Sequence, residues 1–164
     1  MKEEFSKFDL KILGEMQKDC SLSSIELSEK VGLSQSPCWR RLQRLKEEGY
    51  IKKQVALLDK SKFSSTVIIY AYLKMTSLTD EERSFFLLRI EAISEILECH
   101  TVFGEMDIMV KVMAYSMDWY QNFIFSTLLK LPGVKDVQST VTLAELKNTT
   151  EIPLKGLQPV PLHK

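Results

Sequence analysis

Apolar positions recur every three to four residues through the first third of the chain, then give way to β-branched runs that alternate with further helical spacing. Phe8, Ile12, Leu13 and Met16 repeat at helical spacing and predict a first helix. A second, short helix is expected to start near Ser24, because Ser23 followed three residues later by Glu26 forms a capping box. Leu27 and Val31, one turn apart, give it an apolar stripe, and Gly32 supplies the permissive backbone of a sharp turn that Leu33 plugs into the core. Ser34 is placed to cap a third helix with Pro37 in its first turn, where a missing N–H costs little. That helix should run to about Glu48 and bury Cys38, Leu42 and Leu45, leaving Gln35, Ser36, Trp39, Arg40, Gln43 and Arg44 outward, with Gly49 ending it. Tyr50 to Leu58 reads as a strand, and Asp59 to Ser65 is polar enough to be a connector.

The second half has a different rhythm. Thr66 to Met75 is β-branched and aromatic, and a helix follows from Asp80-Glu81-Glu82 with a stripe of Phe86, Leu87, Ile90 and Ile93. Two strands are expected next, Ile96 to Val102 and Ile108 to Ala114, separated by a turn at Gly104. A helix from about Met117 carries Tyr120, Phe123, Ile124, Leu128 and Leu131 and stops at Pro132-Gly133, before a last strand over Val134 to Leu143. The order β-α-β-β-α-β is the ferredoxin-like arrangement, an antiparallel sheet covered by helices on one face. The first strand is apolar on both sides, with Val67, Ile69, Ala71 and Leu73 on one and Ile68, Tyr70 and Tyr72 on the other. A solvated face would alternate with polar residues, so the second face is expected to be covered by another copy, in a homodimer. Pro153, Pro159 and Pro161 predict an extended tail after Lys147, draped over a neighbouring subunit or disordered.

Three helices with a tight turn between the second and third, followed by a strand as wing, define a winged helix-turn-helix, whose last helix fits the DNA major groove. Charge supports that reading. Between Trp39 and Gln54 there are six basic residues, Arg40, Arg41, Arg44, Lys46, Lys52 and Lys53, against Glu47 and Glu48, in a chain of net charge zero. Phosphate contacts supply much of the affinity for DNA, and Arg is the side chain best suited to guanine. Solvated charge on an exposed helix is the plainer alternative, which the turn, the caps and the wing outweigh. Trp39 is suited either to packing on a thymine methyl or to covering a neighbouring helix. A dimer would set two such helices on half-sites one helical turn apart or a multiple of it.

The whole chain sets outer bounds. At 164 residues it holds two small domains, of net charge +2 for residues 1–60 and −2 for 61–164. The fold class is therefore α+β, with domains over residues 1–59 and 66–147, a linker at 60–65 and a tail at 148–164. No apolar run approaches the roughly 18 residues of a membrane span, and the start Met-Lys-Glu-Glu has no apolar leader, so a cytoplasmic protein is expected. Cys20, Cys38 and Cys99 are odd in number and far apart, which suits reduced thiols. Cys99 beside His100 suggests a metal, but adjacent strand residues point to opposite faces. No metal or cofactor is expected.

The chain resembles the Lrp/AsnC family, small transcription factors named after the leucine-responsive regulatory protein. The likeness runs from Phe8 to Pro153. It is carried by DLKILGEMQKD from Asp9, ELSEKVGL from Glu26, PCWRRLQRL from Pro37, VALLD from Val55, ECHTVFGEMD from Glu98 and LLKLPGV from Leu128. The resemblance implies a winged helix-turn-helix joined to a ligand-sensing RAM domain (regulation of amino-acid metabolism). It also implies double-stranded DNA as partner, dimers paired through their sheets that assemble further, often to octamers, and an amino-acid effector bound between dimers near a Gly-x-x-Asp turn. The outward face and the arginines of the third helix put the DNA contacts on Gln35, Ser36, Trp39, Arg40, Arg41, Gln43 and Arg44. Carried over, effector contacts fall to Thr101, Val102, Phe103, Gly104, Asp107, Thr140 and Thr142. A Gly turn can hold a carboxylate on its backbone N–H groups while Asp107 accepts from an ammonium; equally, Gly104 only permits the turn and Asp107 caps it. The family often has Gly-Asp-Tyr/Phe-Asp, whereas this chain has Glu105 and Met106 in the middle and Thr140 where some members carry an aromatic residue. Pro37-Cys38-Trp39, the Val-Ala-Leu-Leu-Asp segment and Asn148-Thr149-Thr150 look most like the cysteine-responsive subgroup.

Two other functions fit this architecture. One is a DNA-bridging architectural protein without an effector. The other is a sirohaem-decarboxylase-like enzyme, which would need converging acid-base side chains; the second domain offers only His100, Arg83, Arg89 and scattered Lys, with His163 in the tail. The chain is accordingly expected not to be an enzyme.

Overall fold

The structure, a computed structural model, describes residues 5–63 and 66–156. It divides into two compact units, one made of the chain up to Leu57 together with the segment from Lys147 onward, the other of Leu58–Leu146.

The first unit holds α1 (Lys7–Lys18), α2 (Ser24–Val31) and α3 (Gln35–Glu47). Its core is Ile12, Met16, Leu27, Val31, Cys38, Leu42 and Leu45, the positions the spacing predicts, with Phe5, Leu13, Leu22, Leu33, Tyr50 and Ile51 packed around them. Each fully buried aliphatic side chain contributes roughly 1.5–3 kcal/mol. The capping box forms: Ser23 Oγ accepts from the Glu26 N–H, and the Glu26 carboxylate accepts from the Ser23 N–H at 2.8 Å. Gly32 closes α2 in the left-handed region (φ 76°), which an L side chain resists. Ser34 occupies the N-cap position of α3 in extended backbone but makes no side-chain cap bond.

Tyr50 to Leu58 does not form the expected strand: residues 51–59 are without helix or strand. A strand needs a ladder partner, and the described residues of this unit supply none. Val55, Leu57 and Leu58 stay exposed, while Tyr50 and Ile51 join the core and Gln54 donates its side-chain N–H to the Cys20 carbonyl. The connector contains a 3-10 turn, Lys60–Lys62.

The tail belongs to this first unit. The Gln17 carboxamide, on α1, bonds the Ile152 backbone twice, donating to its carbonyl and accepting from its N–H, both at 2.9 Å. Leu154 Cδ1 lies 3.8 Å from where a Cβ on Gly14 would sit. Residues 146–154 carry no helix or strand, in keeping with an extended tail, but the segment lies on α1 of its own chain. Pro159, Pro161 and His163 fall outside the described residues.

The second unit is β1 (Val67–Met75), α4 (Asp80–Ala92), β2 (Ile96–Thr101), β3 (Ile108–Ala114), α5 (Met117–Ser126), a 3-10 turn (Leu128–Lys130) and β4 (Val134–Val141). The strands form one antiparallel sheet in the order β2-β3-β1-β4, so the α+β, βαββαβ expectation holds. The core lies between sheet and helices, with Ile69, Ala71, Leu73, Val110, Val112 and Ala114 from the strands meeting Phe86, Ile90, Tyr120, Phe123, Leu128 and Leu131. The buried Tyr120 hydroxyl is satisfied by Ser139 Oγ at 2.7 Å. Leu87 departs from expectation: it is 54% exposed, because Phe86 and Ile90, one turn apart, fill the contact and Leu87 is rotated away.

On the open face of the sheet Ile68, Tyr70 and Tyr72 pair in register with Met113, Lys111 and Met109. The face is thus an apolar belt crossed by charge: Lys111 Nζ meets Glu98 Oε1 at 2.7 Å, and Glu98 Oε2 lies 3.5 Å from His100 Nε2. Cys99 packs toward the core while His100 stands on the open side, so the pair does not converge on one point. No described helix is long and apolar enough to cross a membrane.

Candidate nucleic-acid interface and effector site

On the helix-turn-helix, α3 exposes Gln35, Ser36, Trp39 and Arg40, with Gln43 half-buried beside them. These share one side of the helix, opposite Cys38, Leu42 and Leu45. The Gln35 carboxamide donates to Ser24 Oγ at 3.0 Å, which ties the first residue of α3 to the first residue of α2.

Arg44 does not point outward as expected, and together with Arg41 it turns toward α1. Arg44 Nη2 lies 2.8 Å from Asp9 Oδ1 and Arg41 Nη1 lies 3.3 Å from the same oxygen, with side chains only 16% and 22% exposed. Asp9 is completely buried, and its other oxygen accepts the Ser6 N–H at 2.6 Å. Burial alone would raise the Asp9 pKa; the Ser6 backbone bond and the hydrogen bond and charge of Arg44 outweigh it and hold the carboxyl below its ordinary range. Two of the six cations counted along α3 and after it are therefore matched by a carboxylate from α1. A count confined to a window of sequence could not include Asp9. The residue did carry a signal, as an acid three residues after Ser6 at the start of a helix.

In the second unit the candidate effector motif lies on the β2–β3 turn. Asp107 Oδ2 accepts the Met75 N–H at 2.7 Å and Oδ1 meets Lys74 Nζ at 3.2 Å, while the same ammonium donates to the Glu105 carbonyl at 2.6 Å. The Met75 bond first, with the hydrogen bond and charge of Lys74, lowers the Asp107 pKa against the opposing effect of desolvation. Lys74 and Met75 are thus the turn's partners, unmarked by any motif because they arrive from β1. Met106 is buried, filling the inward position where the family often has an aromatic ring, and Glu105 is exposed. Phe103 is fully exposed.

The candidate effector residues do not all meet in one chain. Thr101, Val102, Phe103, Gly104 and Asp107 cluster at the turn, where Val102 N–H donates to the Asp107 carbonyl and Asp107 N–H to that of Leu73. Thr140 pairs with Tyr70 on β4, and Thr142 reaches the Ile68 carbonyl through both its N–H and its hydroxyl. From the level of Leu73 to that of Ile68, across two strand spacings, is about 20 Å. Thr142 is thus a strand's length from the turn.

A three-helix helix-turn-helix in one unit and a βαββαβ sheet with a Gly-x-x-Asp turn in the other define the two-domain architecture of a transcriptional regulator. The profile of winged helix-turn-helix DNA-binding domains matches residues 5–52, and that of the Lrp/AsnC ligand binding domain matches residues 69–152. The chain is similar to the leucine-responsive regulatory protein of Escherichia coli strain K12, 32% identical over 153 residues that cover 93% of each. Among solved structures it is similar to a transcriptional regulator from Neisseria meningitidis in complex with L-Met (TM-score 0.87, 33% identity, 93% of this chain and 98% of that one). It is likewise similar to an AsnC family transcriptional regulator from Agrobacterium tumefaciens (TM-score 0.86, 32% identity, 92% and 98%). The chain belongs to the Lrp/AsnC family: it is a DNA-binding transcriptional regulator with a ligand-binding domain, and its named relatives are regulators, not enzymes.

Proposed function

We propose that this regulator is a cytoplasmic sensor in which an amino acid, bound where subunits meet, biases how a homo-oligomer presents its recognition helices to DNA. The separation of Thr140 and Thr142 from the Gly104–Asp107 turn carries the reading. A pocket that uses both needs a second chain, so ligand occupancy and assembly are linked, and a ligand that prefers one assembly shifts the population toward it. The half-buried belt of Ile68, Tyr70, Tyr72, Met109 and Met113 supplies a surface for the first pairing, and pairs assemble further, to octamers. On DNA, Gln35, Ser36, Trp39, Arg40 and Gln43 face the groove, while Arg41 and Arg44 hold α3 on α1 and add positive potential from behind.

The relative solved with L-Met supports an amino-acid effector, and the likeness to the cysteine-responsive subgroup adds cysteine. Thermal-shift screening of the full chain against the twenty amino acids, followed by light scattering on a sizing column, tests the sensor. One amino acid is expected to raise the melting temperature and change the oligomer distribution; twenty flat responses refute an effector. One observation favours a second reading, a DNA-bridging protein without effector. The Asp107 carboxylate already serves Met75 and Lys74, so an incoming ammonium must compete for it.

A further inference from the structure

A groove of about 400 Å³ opens on the outer side of the helix-turn-helix, lined by Ser24, Gln35, Ser36 and Trp39. Three of these belong to α3; Ser24 does not. Its hydroxyl accepts one N–H of Gln35 at 3.0 Å. A carboxamide has two N–H groups and a carbonyl oxygen, so a second N–H and Oε1 remain for another partner. That edge, a donor beside an acceptor, is complementary to the major-groove edge of adenine, where N7 accepts and the N6 amino group donates. Trp39 follows Gln35 by four residues, one helical turn along the same face, and is half exposed. Thymine, paired with that adenine, presents its 5-methyl group in the same groove, a match for the apolar indole.

We propose that Ser24 is a positioning residue for base readout. It fixes the Gln35 carboxamide so that its free edge addresses adenine while Trp39 lies against the thymine methyl, and the groove thereby selects an A·T pair in each half-site. The inference rests on the reading of α3's outer side as the DNA surface. A glutamine free in water loses its rotamer freedom when it docks; one already tied to Ser24 has lost much of it beforehand, so the bond favours the oriented form.

The test uses the full chain and a duplex selected by the wild type from a random pool. Anisotropy titrations compare that duplex with copies in which single adenines become 7-deazaadenine, which lacks the N7 acceptor, or single thymines become uracil, which lacks the methyl. At one A·T pair per half-site the wild type is expected to lose on the order of tenfold with 7-deazaadenine. Gln35→Ala should be indifferent to that replacement, and Trp39→Ala to uracil. Ser24→Ala should keep the wild-type melting temperature but discriminate about 3- to 10-fold less well, with Ser24→Thr, which retains the hydroxyl, restoring discrimination. Undiminished discrimination in Ser24→Ala beside its loss in Gln35→Ala overturns the positioning role. Equal weakening on every duplex by both variants overturns base readout in favour of a backbone contact. If Gln35→Ala and Arg40→Ala both leave all DNA binding unchanged, the DNA-surface reading itself has failed.

Discussion

Replacing Asp9 with asparagine removes one charge from the centre of the DNA-reading unit and leaves two cations facing its site. Asp9 is fully buried, 2.8 Å from Arg44 and 3.3 Å from Arg41, and its second oxygen caps α1 through Ser6. Breaking a buried ion pair by removing one partner costs about 3–5 kcal/mol, because the other charge is left uncompensated. The side chains of Arg44 and Arg41 are only 16% and 22% exposed, and Arg44 Nε and Nη2 are buried, so water screens Arg44 little and the expected loss stays in that range, about 3 kcal/mol or more. Asparagine still offers an oxygen to Ser6, so the cap adds little. For a small unit with a total stability of roughly 5 kcal/mol, that is most of the margin. The melting midpoint of this unit should fall by more than about 10 °C. Urea unfolding followed by Trp39 fluorescence in a Trp119→Phe background reads this unit alone. The pH dependence gives a second signature. The Asp9 pKa is depressed in the folded state, so between the folded and unfolded values the unfolded chain binds more protons and stability rises with pH. Its contribution is full above the ordinary carboxylate range and is lost as pH falls through the folded value; in Asp9→Asn that acid-side loss should be absent. A change below about 1 kcal/mol with an unaltered acid limb would refute the claim that α3 is held to α1 by this triad.

Four further outcomes follow from the geometry. Arg40→Ala should weaken DNA binding and reduce the salt slope by about one, whereas Arg44→Ala should lower stability first, as parallel anisotropy and urea titrations will tell. Gly133→Ala should destabilise the second unit by about 1 kcal/mol or more, since Gly133 sits at φ 73° and a Cβ there meets the Leu78 side chain; differential scanning calorimetry checks it. Gln17→Ala should release the tail from α1, raising hydrogen exchange at the Ile152 amide with little effect on the helical core. Asp107→Asn should keep the Met75 bond but weaken the hold on Lys74, leaving DNA affinity intact and blunting the amino-acid response, measured by repeating the thermal screen on the variant.

The helices were legible because their signals are local. Ser23 with Glu26, Gly32 and the Cys38-Leu42-Leu45 spacing each act within one or two turns, and the structure places the core on those positions. The βαββαβ order was legible for the same reason, from runs such as Val67–Met75 bounded by turn residues. What local pattern could not show are relations set by tertiary contact. That Arg41 and Arg44 pair with a carboxylate shows only once Asp9, more than thirty positions earlier, is brought beneath them. Asp107 read as an open ligand until β1 delivers Lys74 and the Met75 N–H. Tyr50 to Leu58 has a strand's composition but no ladder partner among the described residues of its unit, and composition alone does not create one. Ser24 carried only the cap signal of its neighbour Ser23; its role beside Gln35 depends on the angle at which two helices meet.

Control of this DNA-binding head by an amino acid is read most simply from equilibrium binding of the selected duplex by the full chain, repeated with each of the twenty amino acids in turn. One amino acid, with cysteine and methionine first in line, should shift the midpoint by about 5- to 150-fold, the usual range of coupling between sites. Twenty superimposable isotherms would contradict it.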